Sequence, residues 1–259
     1  MGWVRGQSGK IGFDGVEKGD RTPIVFLHGV GSDKSVWAPQ IAHFGRERTA
    51  IALEYPGYGE SEPLPDATRE DFAAAILSAL ETLGIDKAHV CGLSLGGVIA
   101  IAMYAMAPKR CASLILADSF AVHPEGQAIY ERSVEASRKL GMRALAEARA
   151  GMLLGSAATD ALCGEVVETM AAIDPGAYRA GAKAVWLADQ RDRAAAIAVP
   201  TLVLCGTEDR ITPPDLSVEL AALIPGARLQ LIAGAGHLAN AEQPVKFNAA
   251  IDRFLTDIE

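Results

Sequence analysis

A serine flanked by glycines is the residue whose type and setting first suggest chemistry. Ser94 lies in Gly92-Leu93-Ser94-Leu95-Gly96, between an apolar run and a second, longer apolar run. This pattern is typical of a sharp turn from a strand into a helix, where glycines avoid clashes and the serine backbone is strained. Such a turn holds the hydroxyl out above a sheet, and the helix N-terminus favours developing negative charge. We therefore predict that Ser94 is a nucleophile.

A serine nucleophile needs a general base, and His237 is the best placed of the five histidines. It ends Gly234-Ala235-Gly236-His237, directly after the last predicted strand. His28 also follows a predicted strand, but its glycine-rich neighbours suggest that it braces a loop. The other histidines fall in a predicted helix, at a strand start and in a helical insertion; they are His43, His89 and His123.

The base in turn needs an acid that orients it, and three carboxylates follow predicted strands. Asp209 and its neighbour Glu208 come after the strand predicted at 201–205. Asp118 follows the strand predicted at 113–117 and would serve if the acid had moved there. We favour Asp209, because it gives the chain order serine, aspartate, histidine.

An oxyanion formed at an attacked carbonyl needs backbone N–H donors. The N–H of Leu95, the residue after the serine, is one candidate. The N–H of Val30 is the second, because Val30 lies in a glycine-rich loop, His28-Gly29-Val30-Gly31, that lets the backbone approach a ligand. The predicted chemistry is acyl transfer.

Alternating strands and helices must position these residues. After a hairpin predicted at 3–17, apolar runs predict strands at 24–27, 49–53, 89–92, 113–117, 201–205 and 228–232. Helical patterns predict helices at 34–44, 69–83, 95–106 and 244–256. The alternation is typical of an α/β protein with a mostly parallel, doubly wound sheet, whose ligand site lies at the carboxyl edge of the strands.

One long stretch interrupts the alternation. Residues 122–192 are rich in Ala, Glu and Arg and show helical patterns without a convincing strand. We predict a core formed by 1–121 and 193–259, with 122–192 as a helical lid over the carboxyl edge of the sheet. An ordinary helical subdomain without a functional part is the alternative.

These motifs together resemble those of the α/β-hydrolases. The resemblance rests on stretches 28–31, 55–61, 92–96, 206–209 and 236–237, which occur in the family's order over nearly the whole chain. It implies the α/β-hydrolase fold and the roles given above to the serine, aspartate, histidine and two oxyanion residues. Three further stretches, 35–40, 138–150 and 237–242, are similar to those of β-ketoadipate enol-lactone hydrolases and their esterase relatives.

The predicted function is hydrolysis of a small ester or lactone through an acyl-enzyme, without a metal or organic cofactor. A C–C bond hydrolase of a vinylogous diketone would use the same triad. A small-molecule receptor with little turnover is the alternative from another class.

Several side chains are candidates for substrate contacts. An apolar pocket would be lined by Trp37, Phe120, Met152 and Trp186, although such residues are more often ordinary core or lid packing. A substrate carboxylate would find a cation among four arginines of the predicted lid, Arg132, Arg138, Arg143 and Arg149, although such residues are more often solvated charges on a helix.

Composition limits the other partners. The formal net charge is −8 and no long Lys/Arg run occurs, so we expect neither nucleic acid nor an anionic membrane as a partner. The four cysteines form no CxxC pair, which predicts free thiols in a reducing compartment. No secretory signal is visible over 1–10, and the expected location is the cytoplasm. A small molecule is the predicted partner, and no oligomeric state is predicted.

Overall fold

An eight-stranded sheet positions the predicted site residues. The structure, a computed structural model, describes residues 2–7 and 9–259. The strands are β1 (Gly2–Gly6), β2 (Gly9–Val16), β3 (Arg21–Leu27), β4 (Arg48–Leu53), β5 (Ala88–Leu93), β6 (Cys111–Ala117), β7 (Thr201–Gly206) and β8 (Arg228–Ile232). They lie in the order β1-β2-β4-β3-β5-β6-β7-β8. The predicted hairpin is confirmed, since β1 and β2 pair antiparallel, and β3 to β8 are parallel.

The helices follow the predicted pattern with one difference near the first of them. They are α1 (Ala38–Phe44), α2 (Arg69–Thr82), α3 (Leu95–Met106), α4 (Gly126–Leu153), α5 (Asp160–Ala171), α6 (Pro175–Trp186), α7 (Arg191–Ala195), α8 (Pro214–Leu223), α9 (Ala239–Glu242) and α10 (Pro244–Ile258). The helix predicted at 34–44 is divided into a 3₁₀ turn, Lys34–Trp37, and α1. Asp33 caps the 3₁₀ turn by accepting from Ser35 N–H, and Pro39 lies in the first turn of α1, where its missing N–H costs little.

Both faces of the sheet are covered, as the continuous apolar strands predict. In β3, Val25 and Leu27 join one hydrophobic cluster, whereas Ile24 and Phe26 join the other. The strand sides alternate in this way because successive side chains of a strand point to opposite faces. The doubly wound arrangement is therefore confirmed.

Helix α3 packs closely against β3 through a glycine. A Cβ placed on Gly96 would lie 2.1 Å from the carbonyl oxygen of Leu27. The residues from Leu95 to Tyr104 are all buried, which explains why this helix is apolar around most of its circumference. The N-terminus of α3 is thereby fixed next to the carboxyl ends of β3 and β5.

The stretch between β6 and β7 is helical, and the two ends of this stretch lie side by side. Helices α4 to α7 fill this insertion, and an isolated antiparallel bridge joins Val122 to Asp189. The predicted boundary at 192 falls inside α7. Helix α4 is bent at Gly141, whose φ of 75° takes it out of helical geometry.

The free thiols predicted for the cysteines are confirmed. Cys91, Cys111, Cys163 and Cys205 are free thiols. Among the helices of the described residues, none combines the length and the apolar character that crossing a membrane requires.

We expect Gly96→Ala to destabilise the protein by about 1–3 kcal/mol or more, because the added methyl forces α3 away from β3. Gly164→Ala in α5 is the matched control, since a Cβ there meets no atom within 4 Å. That change should stabilise by about 0.5–1 kcal/mol, the usual gain of alanine over glycine within a helix. Urea unfolding of both variants measures the difference, and equal stabilities would contradict the packing argument.

Candidate active site

Ser94 occupies a strained turn between β5 and α3. Its backbone has φ 54° and ψ −112°, in the region that residues with a side chain rarely adopt. The Ser94 N–H donates to Ala117 O at 2.8 Å, and Ser119 Oγ donates to Ser94 O at 2.9 Å. These bonds fix the serine backbone from the end of β6, so the strain is held by the neighbouring strand.

The glycines around Ser94 are needed because the backbone is crowded there. A Cβ on Gly92 would lie 2.2 Å from the carbonyl carbon of Gly96, and one on Gly97 would lie 2.5 Å from Ser119 Oγ. Real Cβ atoms do not approach other atoms so closely. The steric reason given for the motif is thus present in the structure.

A cavity of about 600 Å³ lies above this turn. Ser94, His237, Gly29 and Val30 line its base, and residues of α4, α5 and α6 form its walls. Ser94 Oγ is buried and has no hydrogen-bond partner among the described residues. A ligand in this cavity would therefore contact both the hydroxyl group of Ser94 and the imidazole of His237.

His237 and Asp209 form a buried hydrogen-bonded pair. His237 Nδ1 lies 2.8 Å from Asp209 Oδ2. The aspartate can only accept when ionised, so Nδ1 carries the proton and Nε2 is the free nitrogen of the neutral ring. No hydrogen bond joins His237 to Ser94 in the part of the chain that is described. Such a contact is often loose without a ligand and tightens when one binds.

Asp209 is held in place by the loop that follows it. Its Oδ1 accepts from Ile211 N–H at 2.8 Å and Thr212 N–H at 3.0 Å, and its Oδ2 accepts from Thr212 Oγ1 at 2.7 Å. Burial opposes ionisation of Asp209. The positive charge that His237 carries when protonated, together with the hydrogen bonds from His237 and Thr212, outweighs this effect, so the pKa of Asp209 is lowered.

The two alternative acids have other partners. Glu208 is partly exposed and accepts from Ser156 N–H at 2.7 Å. Asp118 is fully buried and accepts from Gly206 N–H at 2.8 Å through Oδ1. Asp209 is therefore the carboxylate that contacts His237.

The loop that carries His237 is tied to the helical insertion. His237 N–H donates to Leu153 O, at the end of α4, at 2.8 Å. Glu242 accepts from Gly236 N–H at 2.9 Å with one oxygen and from Gly155 N–H at 2.7 Å with the other. No sequence motif indicates this link, although Glu242 belongs to the stretch 237–242 that carried the resemblance.

The loop with the predicted oxyanion donor lies directly beside the serine. A Cβ on Gly29 would lie 3.5 Å from Ser94 Cβ, so this loop and the turn at Ser94 are in contact. Tyr55 OH donates to His28 O at 3.1 Å, and Tyr58 OH donates to Val30 O at 3.2 Å. Because the two tyrosines bind carbonyl groups of this loop, its N–H groups are the backbone groups that remain for another partner. The bracing tyrosines were missed, although they lie in the recognised 55–61 stretch.

The side chain of His28 is held by aromatic packing and by a hydrogen bond to the backbone. Its ring is fully buried at centroid distances of 4.6 Å from Tyr55 and 4.9 Å from Tyr58, and Nδ1 donates to Gly29 O at 2.8 Å. Burial lowers the pKa of His28 to about 4, so the ring is neutral at physiological pH. This agrees with its predicted role in bracing the loop.

Of the four side chains predicted to form an apolar pocket, one lines the cavity. Trp186 does so from α6. Trp37 is instead a core residue, with its ring stacked on Phe26 at 4.9 Å. Phe120 lies behind Trp186, stacked on it at 5.8 Å, and Met152 is 52% exposed in an outer groove. These three side chains therefore lie outside the cavity wall, because Trp37 faces the core, Phe120 packs behind Trp186 and Met152 faces the outer groove.

The walls of the cavity come mainly from residues that the sequence analysis did not single out. They include Leu153 of α4, Leu162, Val166 and Met170 of α5, and Tyr178 of α6. Glu165 and Glu168 lie at its exposed margin. Apolar residues in a helical insertion carry no sequence signal that separates a cavity wall from ordinary packing.

One of the four arginines lines the cavity. Arg149 extends from α4, and its closest polar partners are Ser133 Oγ at 3.4 Å and Tyr178 OH at 3.5 Å. Arg143 pairs with Glu168 in a solvent-exposed, two-bonded ion pair. Arg132 and Arg138 border two other grooves. Within the described part of the chain, Arg149 therefore brings a cation without a carboxylate partner to the wall of the cavity.

Comparison with known proteins places the chain in a family. The model of the alpha/beta hydrolase family matches residues 24–250. The chain belongs to this family, so the predicted fold is confirmed and the protein is a hydrolase. Its sequence and structure are also similar to those of enol-lactonases, which confirms the predicted resemblance.

Three of the similar proteins show the extent of the likeness. The 3-oxoadipate enol-lactonase 1 of Acinetobacter baylyi is 28% identical over 238 residues, which are 91% of this chain and 89% of that protein. The 2-hydroxy-6-oxononadienedioate/2-hydroxy-6-oxononatrienedioate hydrolase of Klebsiella pneumoniae is 29% identical over 255 residues, covering 90% and 86%. The crystal structure of the enol-lactonase from Burkholderia xenovorans LB400 superposes with a TM-score of 0.92 at 27% identity, covering 98% and 99%.

The buried His28 predicts a specific loss of stability in acid. Its pKa is about 4 in the folded protein and 6.5 ordinarily, so between these values the unfolded chain binds a proton that the folded chain does not. Stability should therefore fall by up to about 3 kcal/mol from this residue as the pH falls from about 6.5 to about 4.

The comparison is with His28→Asn, whose amide keeps an N–H donor but does not titrate. This variant should be less stable than the parent at pH 7.5 and lose less stability on acidification. Unfolding by urea at pH 7.5 and pH 5 measures both proteins. Parallel losses in the two proteins would show that His28 is not the group responsible.

Proposed function

We propose that this enzyme hydrolyses small carboxylic esters or lactones through an acyl-enzyme formed on Ser94. The observation that carries the proposal is the shared cavity, whose base is lined by both the strained serine and the imidazole of the His237–Asp209 pair. Neither group needs a cofactor for this chemistry.

In the first half of the reaction, Ser94 Oγ attacks the carbonyl carbon and His237 Nε2 accepts the hydroxyl proton. Asp209 keeps the imidazole in the tautomer with Nδ1 protonated and stabilises the charge that develops on the ring. The N–H groups of Val30 and Leu95 donate to the oxyanion. His237 then gives the proton to the leaving alkoxide, which departs as an alcohol.

In the second half, His237 removes a proton from water, and the resulting hydroxide attacks the acyl carbonyl. Collapse of the second tetrahedral intermediate returns the proton to Ser94 Oγ and releases the acid. With a lactone, the alcohol and the acid are the two ends of one product. The helical insertion acts as a lid in this scheme, because α4, α5 and α6 supply the walls that limit access of water.

The similarity to enol-lactonases supports the lactone form of the reaction. The relative from Klebsiella pneumoniae, which is named for a different hydrolysis, favours C–C bond cleavage of a vinylogous diketone as the second candidate. A panel of p-nitrophenyl esters, lactones and such diketones, compared by kcat/KM, separates the two candidates. Tight binding with hardly any turnover across the whole panel would favour the receptor alternative.

We expect Ser94→Ala to lower kcat for p-nitrophenyl acetate by about 10⁴-fold or more, because the nucleophile is lost. The fold should persist, since alanine leaves the backbone hydrogen bonds of residue 94 in place. Ser78→Ala, on α2 and outside the cavity, is the control and should keep full activity. Retention of activity in Ser94→Ala would refute the proposed nucleophile.

Arg149 narrows the substrate class within this proposal. Its guanidinium is partly buried and has no carboxylate partner in residues 2–7 and 9–259, which favours a substrate that carries its own carboxylate. The names of the two relatives contain oxoadipate and nonadienedioate, which are dicarboxylates. We therefore propose an acyl group that ends in a carboxylate.

We expect Arg149→Gln to lower kcat/KM for the mono-p-nitrophenyl ester of glutaric acid by about 10–100-fold, the usual loss for one charge-assisted hydrogen bond. Hydrolysis of neutral p-nitrophenyl butyrate should change little. Arg138→Gln, which borders a different groove, is the matched control for the charge change. Equal losses on the acidic and neutral esters would argue against a carboxylate site.

A further inference from the structure

Asp118 is a buried carboxyl group that the proposed mechanism does not use. It directly follows β6, it is fully buried, and its φ of 48° is unusual for a residue other than glycine. Its Oδ1 accepts from Gly206 N–H at 2.8 Å. Its Oδ2 is buried and has no hydrogen-bond partner among the residues that the structure describes, which is costly for an ionised group that can only accept.

A second carboxyl group lies close to that of Asp118. Side-chain atoms of Asp118, Cys205 and Asp209 all lie within 4.8 Å of one another. Two ionised carboxylates so close together in a buried site repel, and one of them takes up a proton. Cys205 offers no compensating charge, because burial and the two neighbouring carboxyl groups raise the pKa of its thiol.

The proton belongs on Asp118 rather than on Asp209. Asp209 already accepts hydrogen bonds from Ile211, Thr212 and His237, all of which favour its ionised form. Asp118 accepts from one backbone N–H, that of Gly206, and burial together with the charge of Asp209 raises its pKa well above the ordinary value. A protonated Oδ2 would satisfy both the buried oxygen and the adjacent carboxylate.

We propose that Asp118 is neutral in the resting enzyme and that its carboxyl O–H donates a hydrogen bond to Asp209, which makes Asp118 a positioning residue for the triad. This inference rests on the proposed function only in that Asp209 orients the general base. The pair then carries a single negative charge, and Asp209 has one more donor that holds it in place.

The proposal makes opposite predictions from those of an ionised Asp118. In Asp118→Asn the amide oxygen can accept from Gly206 and the amide N–H can donate to Asp209, and asparagine tolerates a positive φ. No charge is lost, so the acid limb of the kcat/KM–pH profile should not move, and kcat/KM should stay within about twofold.

If Asp118 were ionised, its removal would take away a charge that favours protonated His237. The acid limb of Asp118→Asn would then move to lower pH by about one unit, which would overturn the proposal. In Asp118→Ala the donor to Asp209 is lost, so kcat should fall by about 10-fold and the acid limb should move to higher pH. Activity of Asp118→Ala equal to that of Asp118→Asn would also overturn it.

Infrared spectroscopy tests the proton directly and does not depend on folding of the alanine variant. At pH 8 the parent protein should show the C=O band of a protonated carboxyl group, and Asp118→Asn should lack it. Asp86→Asn, which removes an exposed loop carboxyl group, is the control and should retain the band. Absence of the band in the parent, as a bound cation between the carboxylates would produce, would overturn the proposal.

The infrared experiment is repeated in Ser94→Ala to separate the two proposals. A band that is present there while Ser94→Ala remains active would leave the carboxyl pair standing and refute the nucleophile. A missing band beside an inactive Ser94→Ala would refute the carboxyl pair and leave the nucleophile standing.

Discussion

The close packing of the strand–turn–helix unit at Ser94 is the constraint on which the candidate site depends. Two glycines allow α3 to start almost in contact with β3 and β5, and any larger residue would separate them. The serine backbone must then adopt φ 54°, which projects its side chain out of the turn. Because parallel strands end at one edge, the same packing brings the loops after β3, β7 and β8 to this serine.

The sequence was sufficient for the features that follow from local sterics and strand order. The turn at Ser94, the sheet and the choice of Asp209 over Glu208 rest on glycine spacing and on which strand precedes each residue. The interior of the cavity could not be obtained in this way. Trp37 and Leu162 are both apolar residues near the site, but only the rotation of their helices about the cavity decides that Leu162 lines it.

Charge near the site is controlled mainly by burial. His28 is kept neutral between two tyrosines, where it braces a loop and does not compete for protons with His237. Asp209 stays ionised although it is buried, because donors from its own loop and from the imidazole surround it. Sequence alone contains the identities of these groups but not their exposure, so their charge states emerge only from the folded arrangement.

The two oxygens of Glu242 connect the histidine loop to Gly155, in the segment that joins α4 to α5. One side chain thus links a loop of the sheet to the helical insertion. Outward displacement of this segment must either break a charge-assisted hydrogen bond or pull on the backbone beside the imidazole. Movement of the insertion at this point and placement of the imidazole are therefore mechanically coupled.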